Sequence, residues 1–238
     1  MTLMLNLNNV TLVCVTNIQL RASIKAIKYS SRRIQFKKKI LITDLKQDFN
    51  SNNNDIEILK LDIDISNIKK WCRFIVYDLH NYIDTQYILL VHDDGFVVNP
   101  ECWDSRFLDY DYIGAPWPPS NKIFIDSNNQ PALVGNSVSI RSKKILEMPT
   151  KLKIPWHDPS NFYHEDGFLC CQHKNLLEAN GINFAPFSLA INFSRESSFQ
   201  QNLFTKTFAF HRWGGLNIIY PCFNKYYQLK KIIKRIFK

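Results

Sequence analysis

Four short apolar runs, set apart by stretches with helical or polar character, constrain the first hundred residues more than any other feature. Val10–Thr16 reads Val-Thr-Leu-Val-Cys-Val-Thr, rich in β-branched residues, and suits a buried strand. Ile40–Thr43 and Ile56–Leu61 suit two more. Tyr87–Val91 is apolar throughout and suits a central strand covered on both faces. A helix is expected over Ala22–Ser31, with Lys25 and Lys28 on its wet side. A second is expected from Ile68 to Ile83, capped by Ser66, because Ile68, Trp71, Cys72, Ile75, Val76, Leu79 and Ile83 recur at helical spacing. Lys46–Asp55 is polar and Asn-rich, as in a loop or a frayed helix. Strands alternating with helices predict an α/β fold with a mostly parallel sheet. Ligands of such sheets bind beyond the carboxyl ends of the strands, and the sequence at that place is His92-Asp93-Asp94-Gly95.

Four motifs carry chemistry. In His92-Asp93-Asp94-Gly95, a carboxylate at the end of a buried strand suits a hard divalent ion that also touches phosphate oxygens; Asp-Asp-Gly is equally an ordinary turn. In Val134–Ser142, Gly135 at a strand edge allows a ligand close to the backbone, and Ser139 and Arg141 share one face by period two; the alternative is a plain hairpin edge. His164-Glu165-Asp166-Gly167 opens a helix expected over Phe168–Asn180. Two acids there either serve the helix dipole or supply a general base for an acceptor hydroxyl. In Phe208–Gly215, His211 follows an apolar run and precedes Gly-Gly, so it is either a core histidine or one at a strand end facing a cleft.

Acid pair, glycine loop, Glu-Asp and late histidine, in that order, resemble the landmarks of GT-A glycosyltransferases. A closer resemblance runs from about residue 10 to 215. Its carriers are Asp94-Gly95-Phe96-Val97, Trp103, the long string Phe107–Pro118 with Tyr-Asp-Tyr-Ile-Gly-Ala-Pro-Trp-Pro, Val134-Gly135-Asn136, Ser139–Ser142, Glu165-Asp166 and Phe210-His211. On these residues the chain is similar to a family of bacterial and viral glycosyltransferase-like domains long catalogued as a domain of unknown function. It departs from that family at Ser137 and Val138, where two glycines are usual, and at Asp93, which adds a second carboxylate.

The resemblance implies a GT-A fold, the Rossmann-like nucleotide-diphospho-sugar transferase fold with a mixed central sheet. It implies one domain over 1–224, nucleotide-binding to about residue 98 and acceptor-facing beyond, with 225–238 as a tail. The implied function is metal-dependent transfer of a sugar from a nucleotide-diphosphate donor to a glycan or lipid-linked acceptor, in surface polysaccharide or glycan synthesis. Mn²⁺ or Mg²⁺ would be held by Asp94 and His211, with Asp93 reaching it through water. Asp166 would take the acceptor proton in an inverting displacement, and Glu165 would orient acceptor or base. Thr16, Asp44, Arg73, Gly135, Asn136 and Trp117 are expected at the donor and acceptor; for Trp117, stacking on a sugar face competes with simple core packing. The rivals are a nucleotidyltransferase, against which the glycine-free stretch Val13–Lys28 counts, and a non-catalytic carbohydrate-binding protein.

Charge and cysteine usage bound the rest. Cys14, Cys72, Cys102, Cys170, Cys171 and Cys222 include no C-x-x-C pair, a poor framework for zinc or disulfides and consistent with reduced thiols in a cytoplasmic protein. The N-terminal segment does not read as a signal peptide, and no run approaches the ~20 apolar residues of a membrane span. Of the +9 net charge, residues 225–238 carry six Lys/Arg and no acid, which argues against a broad nucleic-acid face. In that tail Tyr226, Leu229, Ile233, Ile236 and Phe237 fall at helical spacing and the basic residues tend to the other side. This pattern fits peripheral contact with the inner membrane face, or a helix packed on the domain.

Overall fold

The computed structural model describes residues 4–45, 55–120, 122–156, 164–224 and 228–229. The strands are β1 (Leu5–Val15), β2 (Ile34–Thr43), β3 (Glu57–Lys60), β4 (Tyr87–Leu90), β5 (Gly95–Val97), β6 (Tyr112–Pro116), β7 (Val134–Ser142), β8 (Ser194–Arg195) and β9 (Ala209–His211). One sheet has the order β3-β2-β1-β4-β7-β6, and a small one the order β5-β9-β8. The four strands expected from the sequence are the parallel part of the large sheet. β7 runs antiparallel to both β4 and β6, so the sheet is mixed.

β1 and β2 start earlier than their apolar cores suggest. Leu7, Ile34 and Phe36 are buried while Asn6, Asn8, Gln35 and Lys37 are exposed, the period-two pattern of a half-covered strand. Farther along β1 both faces are covered: Leu12 and Cys14 join one apolar layer, Val13 and Val15 the other. That double burial fixes which strand ends can open into a cleft.

Helix α1 (Leu20–Ser30) lays Leu20, Ile24 and Ile27 on the sheet. Its Ser30 hydroxyl accepts a hydrogen bond from the Val97 backbone N–H at 3.2 Å, tying it to β5. Helix α2 (Ile68–Tyr77) is capped by Asn67, whose side chain accepts from Lys70 N at 3.0 Å. Ser66 is not the cap, because its hydroxyl is bonded to Asp64 at 2.6 Å. The helical pattern continues past α2 only as a 3₁₀ turn, Leu79–Tyr82. Ser142 caps helix α3 (Lys143–Lys151) by accepting from Ile145 N at 3.2 Å. The helix expected over Phe168–Asn180 is interrupted. A turn at Glu165–Gly167 leads into π-helix over Phe168–Gln172, and a separate helix covers Lys174–Ala179. No disulfide joins any of the six cysteines. Among the described residues no helix is long and apolar enough to cross a membrane. Of the tail only Gln228 and Leu229 are described; the rest of the stretch expected to touch a membrane lies outside the described residues.

Candidate functional site

Backbone geometry at the end of β4 brings Asp94 to His211. Val91 N still bonds Val13 O at 2.9 Å; His92 and Gly95 then exchange backbone bonds of 2.7 and 3.3 Å, closing a tight turn with Asp93 and Asp94 in its middle. Gly95 opens β5 and pairs directly opposite His211. A Cβ on Gly95 would lie 2.6 Å from His211 Cδ2 and 2.7 Å from Val138 Cγ2, so only glycine allows this approach. Asp94 Oδ1 consequently stands 3.7 Å from His211 Nε2. On the far side, His211 Nδ1 lies 2.9 Å from Glu196 Oε2. Glu196 arrives there because β8 runs parallel to β9 with Arg195 opposite Phe210. Gly95→Ala is therefore expected to push the imidazole off Asp94 and abolish any Mn²⁺-dependent rise in melting temperature. An undiminished rise would show that the close approach is dispensable.

The electrostatics favour a positive charge between these acids. Burial pulls the His211 imidazole down, but the Glu196 carboxylate, with Asp94 and Asp166 behind it, outweighs burial and pushes its pKa up to about 9. Burial, with the charge on His211, takes the neighbouring His92 down to about 4, so His92 is neutral. His92 Nε2 is shielded from solvent and meets no hydrogen-bond partner. Burial and the adjacent Asp94 raise Asp93 above the usual carboxylate range, against the Asn224 amide, which donates to Asp93 Oδ2 at 2.6 Å.

These groups fit a divalent cation. A carboxylate faces an imidazole nitrogen, and a second carboxylate orients that imidazole from its other nitrogen, a common outer-shell arrangement around metals. No group of three or more His, Cys, Asp or Glu that could hold a metal occurs among the described residues. Two protein ligands leave the other positions to water and phosphate oxygens, as is usual for Mg²⁺ at phosphate-bearing substrates.

A cavity of about 450 Å³ opens at this point. Val15, Thr16, Asn17 and Ile18 beyond β1 form one wall, Ile65–Ile68 and Trp71 another, and His92, Asp93, Asp94, His164, Glu165 and His211 the rest. The Thr16 hydroxyl donates to Ile18 O at 2.5 Å and shapes the rim. Asp44 stands behind the wall, its Oδ2 accepting from Ile65 N at 3.2 Å. A second hollow of about 420 Å³, lined by Asp109, Tyr110, Glu178 and Asn183 among others, contains none of the metal-fitting residues.

Several expected donor or acceptor residues lie elsewhere. Arg73 is exposed on α2 with its guanidinium 5.5 Å from the Tyr77 ring centre. Trp117 is 3% exposed, stacks on Phe124 at 4.1 Å and fills the space above Gly135, where a Cβ would come within 2.5 Å of its ring. Core packing thus uses both the tryptophan and the missing side chain of Gly135. Asn136 pairs through its backbone with Ala115 in the β6–β7 ladder. Arg73, Trp117 and Gly135 are not among the described residues lining the 450 Å³ cavity.

The two acids of the Glu-Asp pair have different surroundings. Glu165 is 2% exposed, and its Oε1 accepts from Arg141 Nη2 at 2.9 Å in a fully buried ion pair. Arg141 is held in turn by its Nε donating to Ser139 Oγ at 2.9 Å, the face predicted by period two. Burial alone would raise Glu165, but Arg141 outweighs it and keeps the carboxyl ionised below its ordinary value. Asp166 has no such partner. Burial, then the Glu165 charge, drive its pKa well above its ordinary value. Nor does Asp166 line the cavity. Glu196 and Asn17 carry no signal in the sequence, and Trp71, His92 and His164 have no expected role at the site, although all five stand at the cavity or its imidazole.

Comparison with solved structures agrees with this architecture. The galactosyltransferase LgtC, solved with donor and acceptor sugar analogues, matches over 86% of this chain and 87% of its own, with a TM-score of 0.56 at 11% identity. Residues 1–349 of TarS from S. aureus give a weaker match that carries no further weight: TM-score 0.49, 12% identity, 86% of this chain and 60% of that one. The fold is the GT-A nucleotide-sugar transferase fold. No curated protein matches the chain. A family model does match, over residues 55–211, from just before β3 to the metal-fitting histidine; the chain belongs to the family described as protein of unknown function DUF5672.

Proposed function

We propose that the protein is a metal-dependent glycosyltransferase that moves a sugar from a nucleotide-diphosphate donor to a hydroxyl of a glycan or lipid-linked acceptor. The observation that carries this is the Asp94–His211 pair, 3.7 Å apart, at the carboxyl-end cavity of a GT-A fold. Asp94 and His211 would hold Mn²⁺ or Mg²⁺, with Asp93 beside them. When bound, such an ion neutralises charge on the leaving diphosphate. Glu196 holds the His211 ring in the orientation that presents Nε2 to Asp94. The walls at Ile18, Ile65, Ile68 and Trp71 supply apolar surface for the donor, and Thr16, Asn17 and Asn67 its polar rim.

Residues 225–238 suit peripheral attachment to an anionic membrane, each Lys or Arg near such a surface contributing ~1 kcal/mol. That would keep the enzyme beside lipid-linked acceptors. A thermal-shift screen of nucleotide-diphosphate sugars tests the function. At least one donor is expected to raise the melting temperature with Mn²⁺ and to do so weakly or not at all in chelator. A flat response to every donor, with and without metal, would contradict it.

A further inference from the structure

We infer that Asn217 is a positioning residue for the metal site, holding Glu196 and His211 in the alignment that presents Nε2 to Asp94; this rests on the metal pair proposed above. The strands that carry the two side chains are too short to align them. β8 and β9 pair only as Ser194 with Ala209 and Arg195 with Phe210, so the ladder stops one residue short of Glu196 and His211. The Asn217 amide takes over at that point. Asn217 is 1% exposed, and its Nδ2 donates to Glu196 O at 3.4 Å and to His211 O at 3.2 Å, the two carbonyls just beyond the last rung. It also faces Arg195 O at 3.1 Å and Arg212 O at 3.3 Å, so its two N–H groups are shared among four acceptors. One side chain thus joins both strands where their backbones no longer do.

The chain after His211 delivers this amide. Arg212 has a φ of 63°, in the left-handed region, which turns the backbone off β9. Gly215, at φ 49°, continues the turn in a conformation that glycine adopts without strain. Asn217 N then bonds Gly214 O at 2.8 Å. The orientation of the amide follows from its Oδ1, which accepts from Arg195 Nε at 3.1 Å. Arg195 is 4% exposed and is itself held by Asn202 O at 3.3 Å and Thr205 O at 3.4 Å. Metal ligands keep a productive geometry only when the groups behind them are fixed in this way. Without the amide, Glu196 and His211 can shift against each other, and the imidazole loses its set angle to Asp94.

Mn²⁺ binding tests the role without donor or acceptor. Affinity is read from the electron paramagnetic resonance signal of free Mn²⁺, and imidazole ligation from the nitrogen modulation of the bound ion. The variants are Asn217→Ala and Asn217→Asp, the second keeping size and acceptor oxygen but losing the N–H donors. Both are expected to weaken Mn²⁺ binding roughly 10–100-fold, the usual effect of losing an outer-shell partner, and to reduce the nitrogen modulation. Thr11→Val breaks the buried 2.7 Å hydrogen bond between Thr11 and Thr85 and serves as the destabilised control. It should lose stability but keep wild-type affinity. Wild-type affinity and modulation in both Asn217 variants would overturn the role and leave the metal pair standing. So would failure of both to fold, or an equal loss of affinity in Thr11→Val, either of which would make Asn217 a residue of the fold alone. Wild-type protein that binds no Mn²⁺ would overturn the Asp94–His211 metal site itself, and the role of Asn217 with it.

Discussion

Glu165→Ala lowers the melting temperature by roughly 6–20 °C, the largest stability loss expected of any single change at this site. The side chains of Arg141 and Glu165 are 0% and 2% exposed, and they meet at 2.9 Å. Removing one partner of a buried pair leaves the other charge uncompensated, at a cost of about 3–5 kcal/mol. In a domain of this size each kcal/mol moves the midpoint by about 2–4 °C. Arg141 has little else to turn to: its Nε donates to Ser139 and its Nη1 is already buried without a partner. Replacing both members with apolar residues of similar volume, Arg141→Met with Glu165→Leu, should recover most of the loss, because two apolar groups need no partner. Differential scanning calorimetry of the single and double variants distinguishes this from a merely local effect. Equal destabilisation in both would mean that the pair's charge is not what matters.

Asp94→Asn removes the negative charge facing His211 Nε2 while keeping the side chain's shape. Turnover should fall on the order of 10³-fold. Charge stabilisation at a leaving diphosphate amounts to several kcal/mol, and about 4 kcal/mol corresponds to three powers of ten. Little stability should be lost, because both side chains keep some exposure, 20% for Asp94 and 17% for His211. Asp166→Asn makes the opposite case. Asp166 is buried and is not among the residues lining the cavity, so exchanging its carboxyl for an amide should leave turnover close to wild type.

The parallel half of the sheet was legible because its strands are continuous apolar runs, and Asp94 was legible because it ends one of them. His211 could be singled out from its place between an apolar run and Gly-Gly. What could not be read was which distant residues meet. Glu196 reaches His211 only through the pairing of β8 with β9, two short strands with no periodic signature of their own. The direction of β7 escaped for a similar reason, since a nine-residue strand of mixed polarity fits either orientation. Trp117 and Gly135 are expected at the ligand through the family resemblance, with core packing the alternative for Trp117. Here the indole needs the space a Cβ would take. Glu165 and Asp166 are adjacent and alike in chemistry; the Arg141 guanidinium, aimed at Glu165, lowers its pKa, while burial raises that of Asp166.

The most direct measurement is release of nucleoside diphosphate from a nucleotide-diphosphate sugar by wild-type protein and by Asp94→Asn, each with Mn²⁺ and with chelator. Release by wild type with Mn²⁺, and its near absence in the other three reactions, is the expected result. Release that persists in chelator, or that Asp94→Asn supports at the wild-type rate, would contradict the assignment of Asp94 and His211 to a metal-dependent glycosyl transfer.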